Sequence, residues 1–114
     1  MTMKILIVED NANMREVVKS MFTSKEIEFF ECTDGINALV LYKKCLPDWV
    51  LMDIRMKYID GLQATKEIKH CFPDANIVVM TQYDDSDTRL EAEKLGTRAF
   101  VLKENLIRLR EIVH

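Results

Sequence analysis

Four short apolar runs in this chain each end on a different reactive group. Lys4-Ile5-Leu6-Ile7-Val8 runs into Glu9-Asp10, Trp49-Val50-Leu51-Met52 into Asp53, Ile77-Val78-Val79-Met80 into Thr81, and Phe100-Val101-Leu102 into Lys103. Runs of this length without polar alternation suit strands of a parallel sheet covered on both faces. In such a sheet all four ends meet at the carboxyl edge, where open α/β sheets hold ligands. Three carboxylates, one hydroxyl and one ammonium gathered there would make a site for a divalent cation and a phosphoryl group.

Electrostatics sharpens that expectation. Two like charges about 4 Å apart cost on the order of 4 kcal/mol at an effective dielectric of about 20, so Glu9, Asp10 and Asp53 together call for a shared cation. Magnesium fits, because it takes one or two carboxylates, keeps waters and accepts phosphate oxygens. Asp53 could then attack phosphorus as a nucleophile, with Lys103 neutralising one phosphoryl oxygen and the Thr81 hydroxyl donating to another. Such a site works by positioning and charge compensation. Taken singly, each residue has a blander role: an acidic pair caps a helix, an aspartate caps a loop, a threonine ends a strand and a lysine is solvated. Independent capping does not require them all at one edge, and that joint placement favours the site.

The intervening segments must carry the strands back across the sheet. Met14, Val17, Val18, Met21 and Phe22 fall on one helical stripe, with Asn11 or Asn13 available as its cap. A strand over Ile27 to Cys32 follows, and Asp34 can cap a second helix bearing Ala38, Leu41, Tyr42 and Cys45, which should stop before Pro47. Asp60-Gly61 opens a third helix with Leu62, Thr65, Ile68 and Phe72 inward. The fourth, Ser86 to Leu95, has the thinnest apolar stripe, with Gly96 placed to end it, which marks it as a movable element. The last, from about Asn105, presents Leu106, Leu109 and Val113. Five β-then-α units predict an α/β doubly wound parallel sheet with five helices, in the flavodoxin-like order 2-1-3-4-5.

Composition is consistent with one domain over residues 1–114 and a net charge of −3, which argues against a surface devoted to nucleic acid or membrane. Cys32, Cys45 and Cys71 are odd in number and widely spaced, so neither a disulfide framework nor a zinc site is expected, and the expected location is a reduced cytoplasm. No stretch reaches membrane-spanning length, and the first apolar run carries Lys4 and ends in acids, unlike a secretory signal.

At these residues the chain resembles the receiver domain of bacterial two-component response regulators, the CheY-like family. The motifs that carry the resemblance are the acidic pair after the first run, Asp53-Ile54-Arg55-Met56 with Asp60-Gly61 beyond it, Thr81 after the fourth run, and Gly96 followed by Ala99-Phe100-Val101-Leu102-Lys103. The resemblance implies phosphoryl transfer from a sensor histidine kinase to Asp53. It also implies magnesium held by Glu9, Asp10, Asp53 and the backbone carbonyl of Arg55, and Thr81 and Phe100 acting as a coupled switch. A domain of this kind signals rather than turning over substrate. It would control its output through the fourth helix, fifth strand and fifth helix, pair with a second copy on phosphorylation, and touch DNA only through an output domain. The wording Asp53-Ile54-Arg55-Met56 then Asp60-Gly61-Leu62-Gln63-Ala64-Thr65 resembles receivers of NarL/LuxR-type regulators in particular.

The chain departs from that pattern at Lys57, where proline is usual, at Tyr58, where glycine is common, at Gln82, where a small residue is usual, and at Glu104, where proline is frequent. None of these removes a reactive group. A haloacid-dehalogenase-like phosphatase would place its nucleophile on the first strand in an Asp-x-Asp motif, whereas here the acids come first and Arg55 stands two residues after Asp53. A flavodoxin would need a Ser/Thr/Gly-rich loop after the first run. A pseudo-receiver, an interaction module without the chemistry, is the remaining alternative, and the complete set of reactive groups argues against it. Trp49 is expected to be packed and Tyr83 to lie at the rim of the site, while His70 and His114 have no partners at catalytic spacing.

Overall fold

The computed structural model describes residues 2–24 and 26–114. Its elements run β1 (Met3–Val8), α1 (Ala12–Ser20), β2 (Ile27–Cys32), α2 (Ala38–Cys45), β3 (Trp49–Asp53), α3 (Gly61–Cys71), β4 (Ile77–Thr81), α4 (Ser86–Lys94), β5 (Ala99–Leu102), a 3₁₀ stretch (Lys103–Arg108) and α5 (Leu109–Ile112). All strand pairings are parallel and the order is β2-β1-β3-β4-β5, as the run pattern predicts. Every residue of β3 and β4 is buried. Alternate side chains feed two cores. Leu6, Val8, Val50, Met52, Ile77 and Val79 pack with α2, α3 and α4 on one face, while Ile5, Ile7, Leu51, Val78, Met80 and Val101 pack with α1 and α5 on the other. Trp49 is buried in the second core, as expected.

Strand register sets the geometry of the carboxyl edge. Val8 pairs with Met52, Asp53 with Met80 and Thr81 with Leu102. Glu9, Asp53, Thr81 and Lys103 therefore leave the sheet in a stagger that advances along the strand direction from β3 to β5.

Local chemistry fixes most boundaries. Asn11 caps α1 by accepting the Met14 N–H at 2.9 Å, and Asp60 caps α3 by accepting the Gln63 N–H at 2.9 Å. Gly61 permits a close approach that nothing larger could make, because a Cβ there would lie 2.0 Å from the Asp53 carbonyl oxygen. Leu46 closes α2 in the left-handed conformation at φ 45°, just before Pro47. Gly96, at φ 83°, lies just beyond the C-cap of α4.

Three expectations need correction. Asp34 does not cap α2: its carboxylate accepts the Asn37 N–H at 2.9 Å and closes a turn, and the helix starts only at Ala38. The turn is spent bringing Gly35 against the Ile59 carbonyl, where a Cβ would meet the oxygen at 2.6 Å. Val17 does not join the core; it is 42% exposed, and with Met14 it lines a cleft at the carboxyl edge because α1 begins beyond the end of β1. The fifth helix is not one α-helix from Asn105. Asn105 leaves helical dihedrals at φ −122° and ψ 35°, and the chain winds as 3₁₀ before four α-helical residues. Leu106, Leu109 and Val113 are nevertheless buried as the stripe predicts. Among the described residues no helix is long and apolar enough to cross a membrane.

Candidate functional site

The staggered strand ends open on a cleft of about 390 Å³ whose walls include Glu9, Asp10, Asp53, Arg55, Thr81 and Lys103. Six of the seven site residues named from the sequence thus share one cavity. Phe100, the seventh, lies outside it.

Lys103 organises the floor. Its Nζ donates to Glu9 Oε1 at 2.7 Å and lies 3.0 Å from Asp53 Oδ1, with both carboxylates almost wholly buried. Burial pushes Glu9 and Asp53 above the ordinary carboxylate range; the Lys103 ammonium opposes that shift in both, while Asp10 adds to it. Burial also pulls Lys103 downward, yet Glu9 and Asp53 together outweigh it and leave the ammonium more basic than usual. The lysine supplies in place the positive charge that the crowded acids require.

Glu9 is fixed at every polar atom. Its N–H donates to the Cys32 carbonyl at 2.9 Å, its carbonyl accepts from Arg15 Nη1 at 2.8 Å, and Oε2 accepts the Asn11 N–H at 3.1 Å. Asp10, in contrast, is exposed. Ligand oxygens of Glu9, Asp10 and Asp53 all lie within 4.8 Å of one another. Three hard oxygen donors at that separation, one of them facing solvent, fit a small divalent cation that keeps part of its water shell.

The remaining residues face the other wall. Thr81 is buried, and its Oγ1 accepts the Tyr83 N–H at 3.3 Å, which leaves the hydroxyl proton free to donate. The Arg55 guanidinium stacks on the Tyr83 ring, 4.6 Å from its centroid, and Tyr83 lines not the site cleft itself but an adjoining one that Arg55 and Thr81 share. Phe100 is buried beneath the Arg89 guanidinium, 4.4 Å from its ring centroid, and Arg89 is tied to Asp84 at 2.8 Å. Val79 pairs with Phe100 and Thr81 with Leu102, so Thr81 and Phe100 are diagonal neighbours on the face covered by α4. Gln82 is exposed and lines the cleft.

Two participants escape the sequence. Asn11 is visible there as a cap, but not as a donor to Glu9. Arg15 has no signal beyond lying on an amphipathic helix, because its partners Glu9 and Glu31 come from two different strand ends.

The family model for the response regulator receiver domain matches residues 5–114. The chain is 37% identical over 116 residues to the uncharacterized transcriptional regulatory protein YhcZ of Bacillus subtilis, covering 96% of this chain but 54% of that protein. It is 38% identical over 101 residues to the chemotaxis protein CheY of Thermotoga maritima, covering 88% of this chain and 84% of that one. Among solved structures, the REC domain of AraT, a response regulator from Geobacillus stearothermophilus, superposes with a TM-score of 0.87 at 32% identity, covering 99% of this chain and 91% of that one. The chain spans about half the length of the YhcZ regulator.

Proposed function

Because the chain belongs to the response regulator receiver family, we propose that it is a phosphorelay receiver domain whose phosphoryl acceptor is Asp53. The observation that carries this reading is the Lys103 ammonium 3.0 Å from Asp53 Oδ1 at the end of β3, inside a cleft that also holds Glu9, Asp10 and Thr81.

In this reading a carboxylate oxygen of Asp53 attacks the phosphorus of a phosphohistidine on a sensor kinase. The new bond is an acyl-phosphate P–O bond, the P–N bond breaks, and its electron pair returns to the imidazole, which takes up a proton. Lys103 moves its interaction from the Asp53 carboxylate toward a phosphoryl oxygen, so charge is compensated without net proton transfer by the protein. The Thr81 hydroxyl turns to donate to a second oxygen. Glu9, Asp10, Asp53 and the Arg55 carbonyl are the groups that would hold magnesium, which supplies further charge neutralisation to the transferring group when bound.

The readout assigned to the site is the face built by α4, β5 and the segment after it. Among the residues of α4, Ala92 alone is buried, so little apolar contact holds that helix in place. Thr81 and Phe100 lie on the strand face beneath it. An output, such as control of transcription by an attached DNA-binding domain or pairing with a second copy, would be driven from there.

The test is intact mass after incubation with acetyl phosphate and magnesium. Wild type is expected to gain one phosphoryl group and Asp53→Asn none; equal uptake by both overturns the assignment.

A further inference from the structure

We propose that Arg15 is a positioning residue for the cation site, fixing the Glu9–Asp10 peptide so that the exposed Asp10 carboxylate points at the bound ion; this rests on the magnesium reading above. Arg15 sits on α1 and its side chain is mostly buried. Nη1 donates to the Glu9 carbonyl oxygen at 2.8 Å while Nε pairs with Glu31 Oε1 at 2.8 Å. Glu31 in turn is held from its other oxygen by Lys19 Nζ at 2.9 Å. These contacts hold the Glu31 carboxyl below the ordinary range, first through the Lys19 hydrogen bond and then through Arg15.

The bond to the Glu9 carbonyl is what ties this network to the site. The Glu9 side chain and N–H are already anchored by Lys103, Asn11 and Cys32. The plane of the peptide that leads into Asp10 is set by its carbonyl, and Arg15 is the group that holds it. Asp10 is exposed and lies beyond β1, so its direction follows from that peptide. A planar guanidinium can serve a carbonyl and a carboxylate at once from two fixed donors, which a lysine cannot do with the same geometry. Outer partners that orient metal ligands are commonly worth 10- to 100-fold in affinity.

Charge alone predicts the opposite sign. A guanidinium one peptide away from an acidic cluster repels a divalent cation, so removing it should tighten binding if Arg15 acted only through its charge. The positioning role predicts weaker binding.

Magnesium affinity measured by calorimetry on the unphosphorylated protein separates the two. Arg15→Met is expected to weaken magnesium about tenfold, and Arg15→Lys, which keeps the charge and loses the fork, by a smaller factor. Lys19→Met should leave affinity within about twofold, because Lys19 reaches the site only through Glu31. Val18→Ala, a core truncation on the same helix, should lower thermal stability without changing affinity. Unchanged or tighter binding by Arg15→Met overturns the inference, as does an equal loss in Val18→Ala. If Arg15→Met does not fold, unchanged affinity in Arg15→Lys overturns it. A wild-type protein that takes up no magnesium defeats the underlying cation reading instead.

Discussion

Lys103 Nζ lies 2.7 Å from Glu9 Oε1, joining residues 94 positions apart that follow β5 and β1. The two ends of the fold are thus tied at the same point where the acids crowd. Removing one member of a buried ion pair leaves the other uncompensated, and Lys103→Met leaves two such acids. The expected loss is about 3 kcal/mol in chelator, less whatever protonation of Glu9 and Asp53 relieves. Urea unfolding with and without magnesium checks this: the ion should restore part of the loss, and an equal deficit in both conditions would show that Lys103 contributes packing rather than charge.

The same cluster sets a pH dependence. Burial raises Glu9 and Asp53, so in metal-free protein the folded state holds protons that the unfolded chain has released at pH values just above the ordinary carboxylate range. Stability then falls as pH rises through the raised folded values. Glu31 is shifted the other way, chiefly by Lys19, so its contribution is lost only as pH falls below the ordinary range. Melting temperature in chelator should therefore rise from pH 7 toward pH 5, and Asp53→Asn should flatten that rise. A wild-type profile that falls over this interval would contradict the raised carboxyls.

Gln82 lines the cleft next to Thr81, and in the proposed phosphorylated state its amide would obstruct water approaching Asp53. Gln82→Ala should speed loss of the phosphoryl group by about tenfold, equivalent to about 1.4 kcal/mol in the barrier. Dephosphorylation followed by mass in excess magnesium gives the rate. An unchanged or slower rate would mean that the side chain lies clear of the water path.

Two substitutions after β3, Tyr58 in the loop and Gly61 at the start of α3, should move stability in opposite directions. Tyr58 is 83% exposed and adopts φ 69°, a left-handed conformation that costs a residue bearing a Cβ about 1–2 kcal/mol. Tyr58→Gly should recover about 0.5–1 kcal/mol of that after the added flexibility of the unfolded chain, a rise of about 4 °C in Tm per kcal/mol. Gly61→Ala forces a methyl to within 2.0 Å of the Asp53 carbonyl oxygen, and backbone rather than a flexible side chain must yield. A loss of about 3 kcal/mol is expected, with impaired phosphorylation because α3 is pushed off the end of β3. Thermal melts of both variants decide the matter; a stabilising Gly61→Ala would show that the contact is not needed.

The sequence by itself determined the sheet, its strand order and the residues at its carboxyl edge. Strands covered on both faces must be continuously apolar, and the group that ends each run necessarily stands at the strand's carboxyl end. Asp60-Gly61 likewise announced its helix start, and Asn11 or Asn13 the first helix's, because a cap is a local hydrogen bond; the structure selects Asn11. Tertiary structure decided what those groups do to one another. The Lys103 bonds to Glu9 and Asp53, the Arg15 bridge from Glu9 to Glu31, and the cover of Arg89 over Phe100 all join segments whose meeting depends on register and packing. It also wound the first part of the expected fifth helix as 3₁₀, leaving α5 only Leu109–Ile112, and delayed α2 to Ala38. In each case a long-range demand, a lysine held at the sheet edge or a glycine pressed against Ile59, prevailed over local periodicity.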